Sequence, residues 1–178
     1  MAMTLITTNT SDDSATSSFT SSIDSTYKLY IFKFIDVSPR TDASNLQFNC
    51  STDGGSNYNM TKTTTFFQTT HYENNSDAYG PSYATGNDLG DATGFQDLYS
   101  GPGNGADESI GGTLWLFNPS NTTYIKHFYS RVVGYCYPDI AREGYSQGYV
   151  NSTSDVDAVQ FKMSSGNMDG TIKMYGVG

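Results

Sequence analysis

Histidines are the side chains in this sequence best suited to acid–base or metal chemistry, and there are only two, His71 and His127. Neither lies in a serine-triad, HExxH or nucleophile-elbow context. His127 falls on an alternating stretch beside an aromatic residue, which predicts a hydrogen-bonded structural histidine. The glycines of residues 101–112 include no Walker lysine and no GxGxxG motif after a strand. The sequence therefore predicts no catalytic centre and no bound cofactor.

Acidic residues are the other candidates for chemistry, as general acids, bases or calcium ligands. Asp88, Asp91 and Asp97 lie in one long segment, and Asp155 and Asp157 stand together further on. Calcium needs several oxygens converging on one point, and this spacing matches no EF-hand. No carboxylate pair stands out for glycoside hydrolysis. We predict a solvated acidic surface, no metal site and no enzyme activity.

Tyrosine is unusually frequent, with 14 copies in 178 residues. Tyr79, Tyr83 and Tyr99 lie in a segment of low regularity, where a flat apolar ring with a polar tip can stack on a sugar. The competing interpretation is that these rings pack the loops onto the domain or form subunit contacts, since aromatic residues are enriched at interfaces. The three tyrosines are therefore candidate partner-binding residues under either interpretation.

Composition and charge exclude several partners. Hydrophobic residues make up 36% of the chain and charged residues 15%, and the net charge is -9. Nucleic acid and anionic membranes both demand clusters of basic residues, which this chain lacks. No secretory signal and no apolar segment of ~20 residues is found, so we expect a soluble protein made in the cytoplasm. Cys50 and Cys136 have no metal-ligand spacing, and whether they pair stays open.

Alternation of apolar and polar residues with a period of two predicts the strands that must position these side chains. The last stretch, residues 156–178, is predicted as a hairpin, with Phe161 and Ile172 on its covered face. Other predicted strands lie at residues 27–36 and 46–50, the latter forming a second hairpin with residues 58–68. Residues 112–118 and 124–133 are predicted to be two paired central strands.

The remaining segments lack this alternation. Residues 69–112 and 134–151 are predicted as long irregular excursions. The first includes a short helical turn around Phe95, Leu98 and Tyr99, and the second ends in a short strand near Tyr149. Residues 1–22 are low in complexity and are predicted to lie outside the core, either as a disordered terminus or as an extended arm ordered by a neighbouring subunit. In the second case Leu5, Ile6 and Phe19 contact the partner, and residues 1–20 are removable without unfolding the domain. Residues 23–178 are predicted as one antiparallel β-sandwich of the jelly-roll type.

Several short motifs resemble a group of small jelly-roll virion proteins from tailed phages that infect marine bacteria or cyanobacteria. The most specific is the ending Gly-Thr-Ile-Lys-Met-Tyr-Gly of residues 170–176. The weaker motifs are the opening Met-Thr-Leu-Ile of residues 3–6, residues 23–27 with Tyr30 and Phe34, the turn at residues 51–56 with Tyr58, and the strand at residues 112–116. The resemblance covers most of the chain but not residues 69–112.

The resemblance implies a structural role at the virion surface after synthesis in the host cytoplasm. Proteins of this group occur as capsid decoration proteins and as pieces of tail fibres, commonly as trimers. We therefore expect a decoration or cement protein that binds the major capsid protein and itself, as a homotrimer, and stabilises the assembled head. The alternative is a tail-fibre or receptor-binding module that contacts a host-surface glycan.

Overall fold

Twelve β-strands and one short 3-10 helix make up the computed structural model, which describes residues 2–136 and 139–178. The helix is Thr85–Asn87. Within the described residues, no helix has the length and apolar character needed to cross a bilayer. The strands are β1 (Met3–Ser14), β2 (Ser17–Phe19), β3 (Leu29–Pro39), β4 (Leu46–Ser51), β5 (Lys62–Tyr72), β6 (Ala78–Tyr83), β7 (Gln96–Tyr99), β8 (Ile110–Phe117), β9 (Lys126–Cys136), β10 (Ile140–Val150), β11 (Ala158–Met163) and β12 (Met168–Val177).

The strands form two antiparallel sheets of unequal size. The large sheet has eight strands in the order β1-β12-β3-β8-β9-β10-β5-β6, and the small sheet has four in the order β2-β11-β4-β7. The predicted all-β, sandwich-like class is therefore confirmed. Strands β3, β8 and β9 occupy the middle of the large sheet, and β8 pairs with β9 as the alternation predicted.

Both predicted hairpins are wrong, although their strands exist. Strand β11 pairs with β2 and β4 in the small sheet, whereas β12 pairs with β1 and β3 in the large sheet. Strands β4 and β5 likewise belong to different sheets. A period of two shows which side of a strand is covered, but it does not show which strand pairs with it. The sequence therefore does not reveal that the chain passes from one sheet to the other between β4 and β5 and between β11 and β12.

The two segments predicted as irregular contain regular strands. Residues 69–112 include β6 and β7, so residues 96–99 form a strand paired with β4 instead of a helical turn. Residues 134–151 include β10, which pairs residue by residue with β9. The inward positions Gly144 and Ser146 of β10 are small, and a Cβ at Gly144 would lie 3.0 Å from the ring of Phe66. This absence of large inward side chains hid the strand pattern.

Aromatic rings on the inner faces hold the two sheets together. The ring of Phe161 on β11 lies 5.2 Å from Phe32 and 5.3 Å from Phe34, both on β3 of the opposite sheet. Phe48 on β4 packs edge-on against Phe128 on β9, with 4.7 Å between their centroids. All five side chains are buried. Burial of each ring contributes roughly 1.5–3 kcal/mol to folding, with an edge-to-face bonus of about 0.5–1.5 kcal/mol for good pairs.

The side chains buried between the two sheets become more polar near β5. Thr64 on β5 donates its hydroxyl to Gln96 Oε1 on β7 at 2.5 Å, and the Gln96 amide donates to Asn87 O at 2.9 Å. Thr64 and Gln96 are buried. Because a buried polar group is costly without a hydrogen bond, this network fixes the irregular chain of residues 85–95 against the large sheet.

The predicted separation of residues 1–22 as an arm is not confirmed. Strand β1 forms one edge of the large sheet, and β2 pairs with β11 in the small sheet. Phe19 is only 2% exposed, and its ring lies 5.3 Å from Phe32 and 6.1 Å from Phe161. A deletion up to residue 20 would remove this core ring, so we no longer expect the remaining chain to fold undisturbed.

We predict that Phe19→Ala lowers the free energy of unfolding by about 3 to 5 kcal/mol, because it removes a buried ring and leaves a cavity. Leu5→Ala, on the exposed part of β1, should change it by less than about 0.5 kcal/mol. Urea unfolding of both variants measures the difference. A Phe19→Ala variant as stable as Leu5→Ala would show that β2 is not anchored in the core.

Candidate functional site

The exposed candidates from the sequence lie at opposite edges of the large sheet. Leu5 is exposed on β1, and Ile6 beside it is half-buried against the core. Tyr79 and Tyr83 are exposed on β6, at the far edge. Six strands separate β1 from β6, so the fold does not bring these residues into one site.

Two further candidates are buried and cannot contact a partner in the folded chain. Phe19 is a core residue, as described above. Tyr99 on β7 has no exposed surface, and its hydroxyl lies 3.8 Å from Cys136 Sγ, in hydrogen-bonding range for sulfur. Burial raises the pKa of Tyr99 well above its usual value. Its segment was predicted as irregular, and this error placed Tyr99 at the surface.

The predicted role of His127 is also wrong. It faces solvent on β9, and the structure gives it no hydrogen bond within the described residues. His71 is likewise exposed and lies 3.2 Å from the Asn75 side-chain oxygen. No group of three or more His, Cys, Asp or Glu side chains within residues 2–136 and 139–178 is arranged to hold a metal ion. Cys50 and Cys136 are buried and free.

One lysine with unusual chemistry lies inside the protein. Lys62 at the start of β5 has no exposed surface, and its ammonium group lies 2.5 Å from Asn49 Oδ1 and 2.8 Å from Met60 O. Burial lowers the pKa of Lys62 to about 8, and it raises the pKa of the neighbouring Cys50 to about 11. A lysine with a lowered pKa can serve as a base or nucleophile, but this one is enclosed.

The contacts of Lys62 point to a structural role. Asn49, its partner on β4, donates its amide to Tyr58 O at 2.8 Å and to Thr93 O at 3.0 Å. The pair therefore links the small sheet, β5 and two loops through hydrogen bonds, of which the one between Lys62 and Asn49 is fully buried. No local pattern indicates this pair, because Lys62 begins a threonine-rich run in which nothing distinguishes a buried lysine from an exposed one.

The surface best suited to binding is the outer face of the large sheet, meaning the face that points away from the small sheet. The indole of Trp115 on β8 stacks on the ring of Tyr129 on β9, with 4.5 Å between centroids and 19° between planes. Phe117 stacks against the same tyrosine at 5.8 Å and 28°. We call these three rings the aromatic ladder. Tyr129 is 42% exposed and Phe117 38%, so the ladder is open to solvent.

A hollow of about 440 Å³ adjoins the aromatic ladder. Its lining residues are Gly112, Thr113, Trp115, Arg131, Val133 and Glu143. A second hollow of about 230 Å³ shares Val133 and Glu143 with the first. A third, of about 420 Å³, shares Thr69 with the second and reaches Phe67, Pro81 and Tyr145 near β6. We call this connected series, from Trp115 to Pro81, the outer groove.

A polar cluster stands in the middle of the outer groove. Arg131 Nε donates to Glu143 Oε1, and the hydroxyl of Tyr145 donates to Glu143 Oε2 at 2.5 Å. The Arg131 guanidinium also lies over the Tyr145 ring, 5.7 Å from its centroid. Burial alone would raise the pKa of Glu143, but the hydrogen bonds from Arg131 and Tyr145 outweigh it and lower that pKa. The carboxylate therefore stays ionised and fixes both neighbours in place.

A row of three basic residues crosses this face of an acidic protein, and of these Arg131 lines the outer groove. Lys173, Lys33 and Arg131 stand in one cross-strand row, with Thr113 between Lys33 and Arg131. They are three of only nine lysines and arginines in the chain. Glu143 is the one carboxylate among the residues that line the three hollows. The exposure of Trp115 could not be predicted because β8 is apolar on both faces, with Leu114 and Leu116 on one and Trp115 and Phe117 on the other. The row of cations depends on which strands pair, which local patterns do not show.

Comparison with known protein families finds none that matches the chain, and comparison with curated proteins finds no significant relative.

We predict that Lys62 makes stability rise with pH between about pH 8 and 9. Its pKa is lower in the folded protein than its ordinary value of 10.5, so the unfolded chain binds more protons in that range. Above pH 9 the raised pKa of Cys50 acts in the opposite direction, because the folded protein then keeps a proton that the unfolded chain loses. The Lys62 contribution from pH 8 to 9 is on the order of 1 kcal/mol.

Urea unfolding of wild type and Lys62→Met at pH 8 and 9 tests this. The rise should shrink in Lys62→Met and persist in the control Lys28→Met, which alters an exposed lysine. Lys126, whose pKa burial also lowers, is present in all three proteins, so its contribution cancels in the comparison. Equal rises in wild type and Lys62→Met would contradict the assignment.

Proposed function

We propose that this protein is a structural component of a phage virion, made in the host cytoplasm, that decorates the assembled head. It acts without catalysis, by burying surface against the major capsid protein and so stabilising the shell. The resemblance of its terminal motifs to small virion proteins supports the virion location. The structural observation that carries the proposal is the free edge of β1.

Strand β1 has the features of an edge that receives a partner. It is twelve residues long and pairs on one side only, with β12. Residues 3–11 lack charged residues and proline, two of the usual protections of an exposed edge. The pairing of β1 with β12 is irregular between Leu5 and Thr7 and again between Ser11 and Ser14. Met3 and Leu5 are about half exposed there, at 46% and 51%. Such an edge can add a strand from a neighbouring subunit, with its apolar side chains filling pockets on that subunit.

The finer topology proposed is that of a jelly roll. Segment β3–β4 passes from the large sheet to the small one, and β11–β12 passes back. Strand β3 pairs with β12, and β4 pairs with β11, so the two segments lie side by side in both sheets. A two-stranded ribbon folded across two sheets is the arrangement expected of this class. The proposed assembly of three copies is supported by the resemblance alone.

A second candidate function is recognition of a host-surface glycan from a tail fibre. The outer groove favours it, because aromatic rings beside hydrogen-bonding side chains suit sugar rings. Tyr79 and Tyr83 are exposed near the far end of this groove and remain candidates for contact. Tyr99 is removed from the set by its burial.

We predict that the double variant Met3→Asp with Leu5→Asp binds decoration-free phage heads about tenfold more weakly than wild type. The added charges oppose burial of this edge, and tenfold corresponds to about 1.4 kcal/mol. Co-sedimentation over a range of protein concentrations measures the change. Tyr124→Asp, which alters a more exposed residue (70%) at another place, is the control and should bind as wild type does. Full binding by the double variant would contradict attachment through β1.

A further inference from the structure

We propose that the outer groove binds a linear acidic polysaccharide, with one sugar ring against Trp115 and its carboxylate or sulfate between Lys33 and Arg131. The inference rests on the second proposed function, sugar recognition, and names its site and ligand class. It is independent of where the protein sits on the virion, because β1 and the groove are different surfaces.

The hollow beside Trp115 supplies the stacking surface. Tyr129 covers one face of the indole and is not among the residues that line the hollow. The indole therefore presents its remaining surface to the hollow, where it is held rigidly by the aromatic ladder. A ring fixed before binding loses little conformational entropy when a sugar stacks on it.

The positions of Lys33 and Arg131 indicate where the carboxylate or sulfate of the sugar would bind. Thr113 lines the hollow and is directly paired with Lys33 on one side and Arg131 on the other. Side chains in such cross-strand pairs start about 5 Å apart. The Lys33 ammonium lies over the Tyr175 ring, 5.9 Å from its centroid, so it must change rotamer to meet an anion above Thr113. The Arg131 guanidinium lies on the other side of Thr113, over the Tyr145 ring. Glu143 engages Arg131 through Nε. Within the part of the chain that the structure describes, the terminal nitrogens of Arg131 form no hydrogen bond and remain available.

The length of the groove favours a polymer over a small molecule. Its three hollows share lining residues in sequence and extend across β8, β9, β10 and β5 to β6. Five neighbouring strands at about 4.8 Å spacing span roughly 19 Å, which is room for several sugar rings. Tyr145 and Gln147 offer hydrogen-bonding groups further along, beside the apolar surfaces of Phe67 and Pro81.

Charge disfavours two other occupants. A second copy packed face to face, with its two-fold axis through this row, would bring Lys33 and Lys173 close to the same residues of its partner, and like charges repel. Nucleic acid would require many phosphate contacts, whereas this row holds three cations on a chain of net charge -9. An acidic oligosaccharide needs only one or two of its anionic groups near the row.

Isothermal titration calorimetry of the whole protein with a linear galacturonate hexamer, a linear sulfated hexasaccharide and neutral cellohexaose tests the inference. At least one acidic oligomer should bind, and the neutral one should bind at least about tenfold more weakly. Trp115→Ala should weaken acidic binding about tenfold, and Lys33→Gln with Lys173→Gln should weaken it severalfold and flatten its dependence on salt. The affinity of the wild type for the acidic oligomers should fall as the salt concentration rises. Attraction to the nearby cations should outweigh repulsion by the net negative charge of the protein, and salt screens that attraction.

Two variants separate binding from folding. Thr113→Phe fills the hollow without removing any proposed contact, and it should abolish binding while the urea midpoint stays near that of wild type. Tyr124→Ala removes an exposed ring outside the groove and should leave affinity unchanged. Binding unaffected by both Trp115→Ala and Thr113→Phe, or no binding of either acidic oligomer, would overturn the inference.

Two other outcomes would assign a different ligand to the outer groove. Equal binding of cellohexaose and the acidic oligomers would overturn the acidic assignment but keep the second proposed function. Loss of head binding in Trp115→Ala and Thr113→Phe, without any oligosaccharide binding, would identify the occupant as an acidic protein surface and overturn the inference.

Discussion

The packing of Phe161 against both sheets is the interaction on which the rest of the structure depends. Its ring, on the small sheet, is surrounded by Phe32 and Phe34 of the large sheet and by Phe19 of the N-terminal segment. Since apolar burial is the main force opposing the entropy of the unfolded chain, this cluster decides which face of each strand turns inward. It also explains why residues before position 20 belong to the domain and are not an independent arm.

The two sheets are unequal in size, with eight strands against four. Four strands cannot cover the inner side of eight, so beyond β9 the interior is completed by buried hydrogen bonds, such as those of Lys62 and Gln96, and by loop backbone. The opposite side of the large sheet is left uncovered along its whole width. An exposed face with stacked aromatic rings is unusual for a protein that functions alone, and such patches commonly mark contact sites.

Some of this architecture could be read from the sequence and some could not. The alternation of Ile172 and Met174 with polar neighbours identified β12, because one of its faces is covered and the other is wet. The same rule failed for β10, whose inward Gly144 and Ser146 give no apolar signal. The alternation of apolar and polar residues could not show that Tyr99 is buried or that Trp115 faces outward. Both depend on how the strands pair and on how the two sheets pack together. The hydrogen bond from Lys62 to Asn49 on β4 is likewise a product of long-range contact, invisible to local patterns.

The number of copies per virion, determined by quantitative mass spectrometry of purified particles against the major capsid protein, tests the central claim most directly. A decoration protein follows the symmetry of the shell, so its copy number should be a fixed, large fraction of that of the major capsid protein. Release of the protein should then lower the resistance of the heads to heat, as expected when a ligand of the assembled state is lost. A small, fixed number of copies that stays with isolated tails would contradict a head decoration role and favour host recognition.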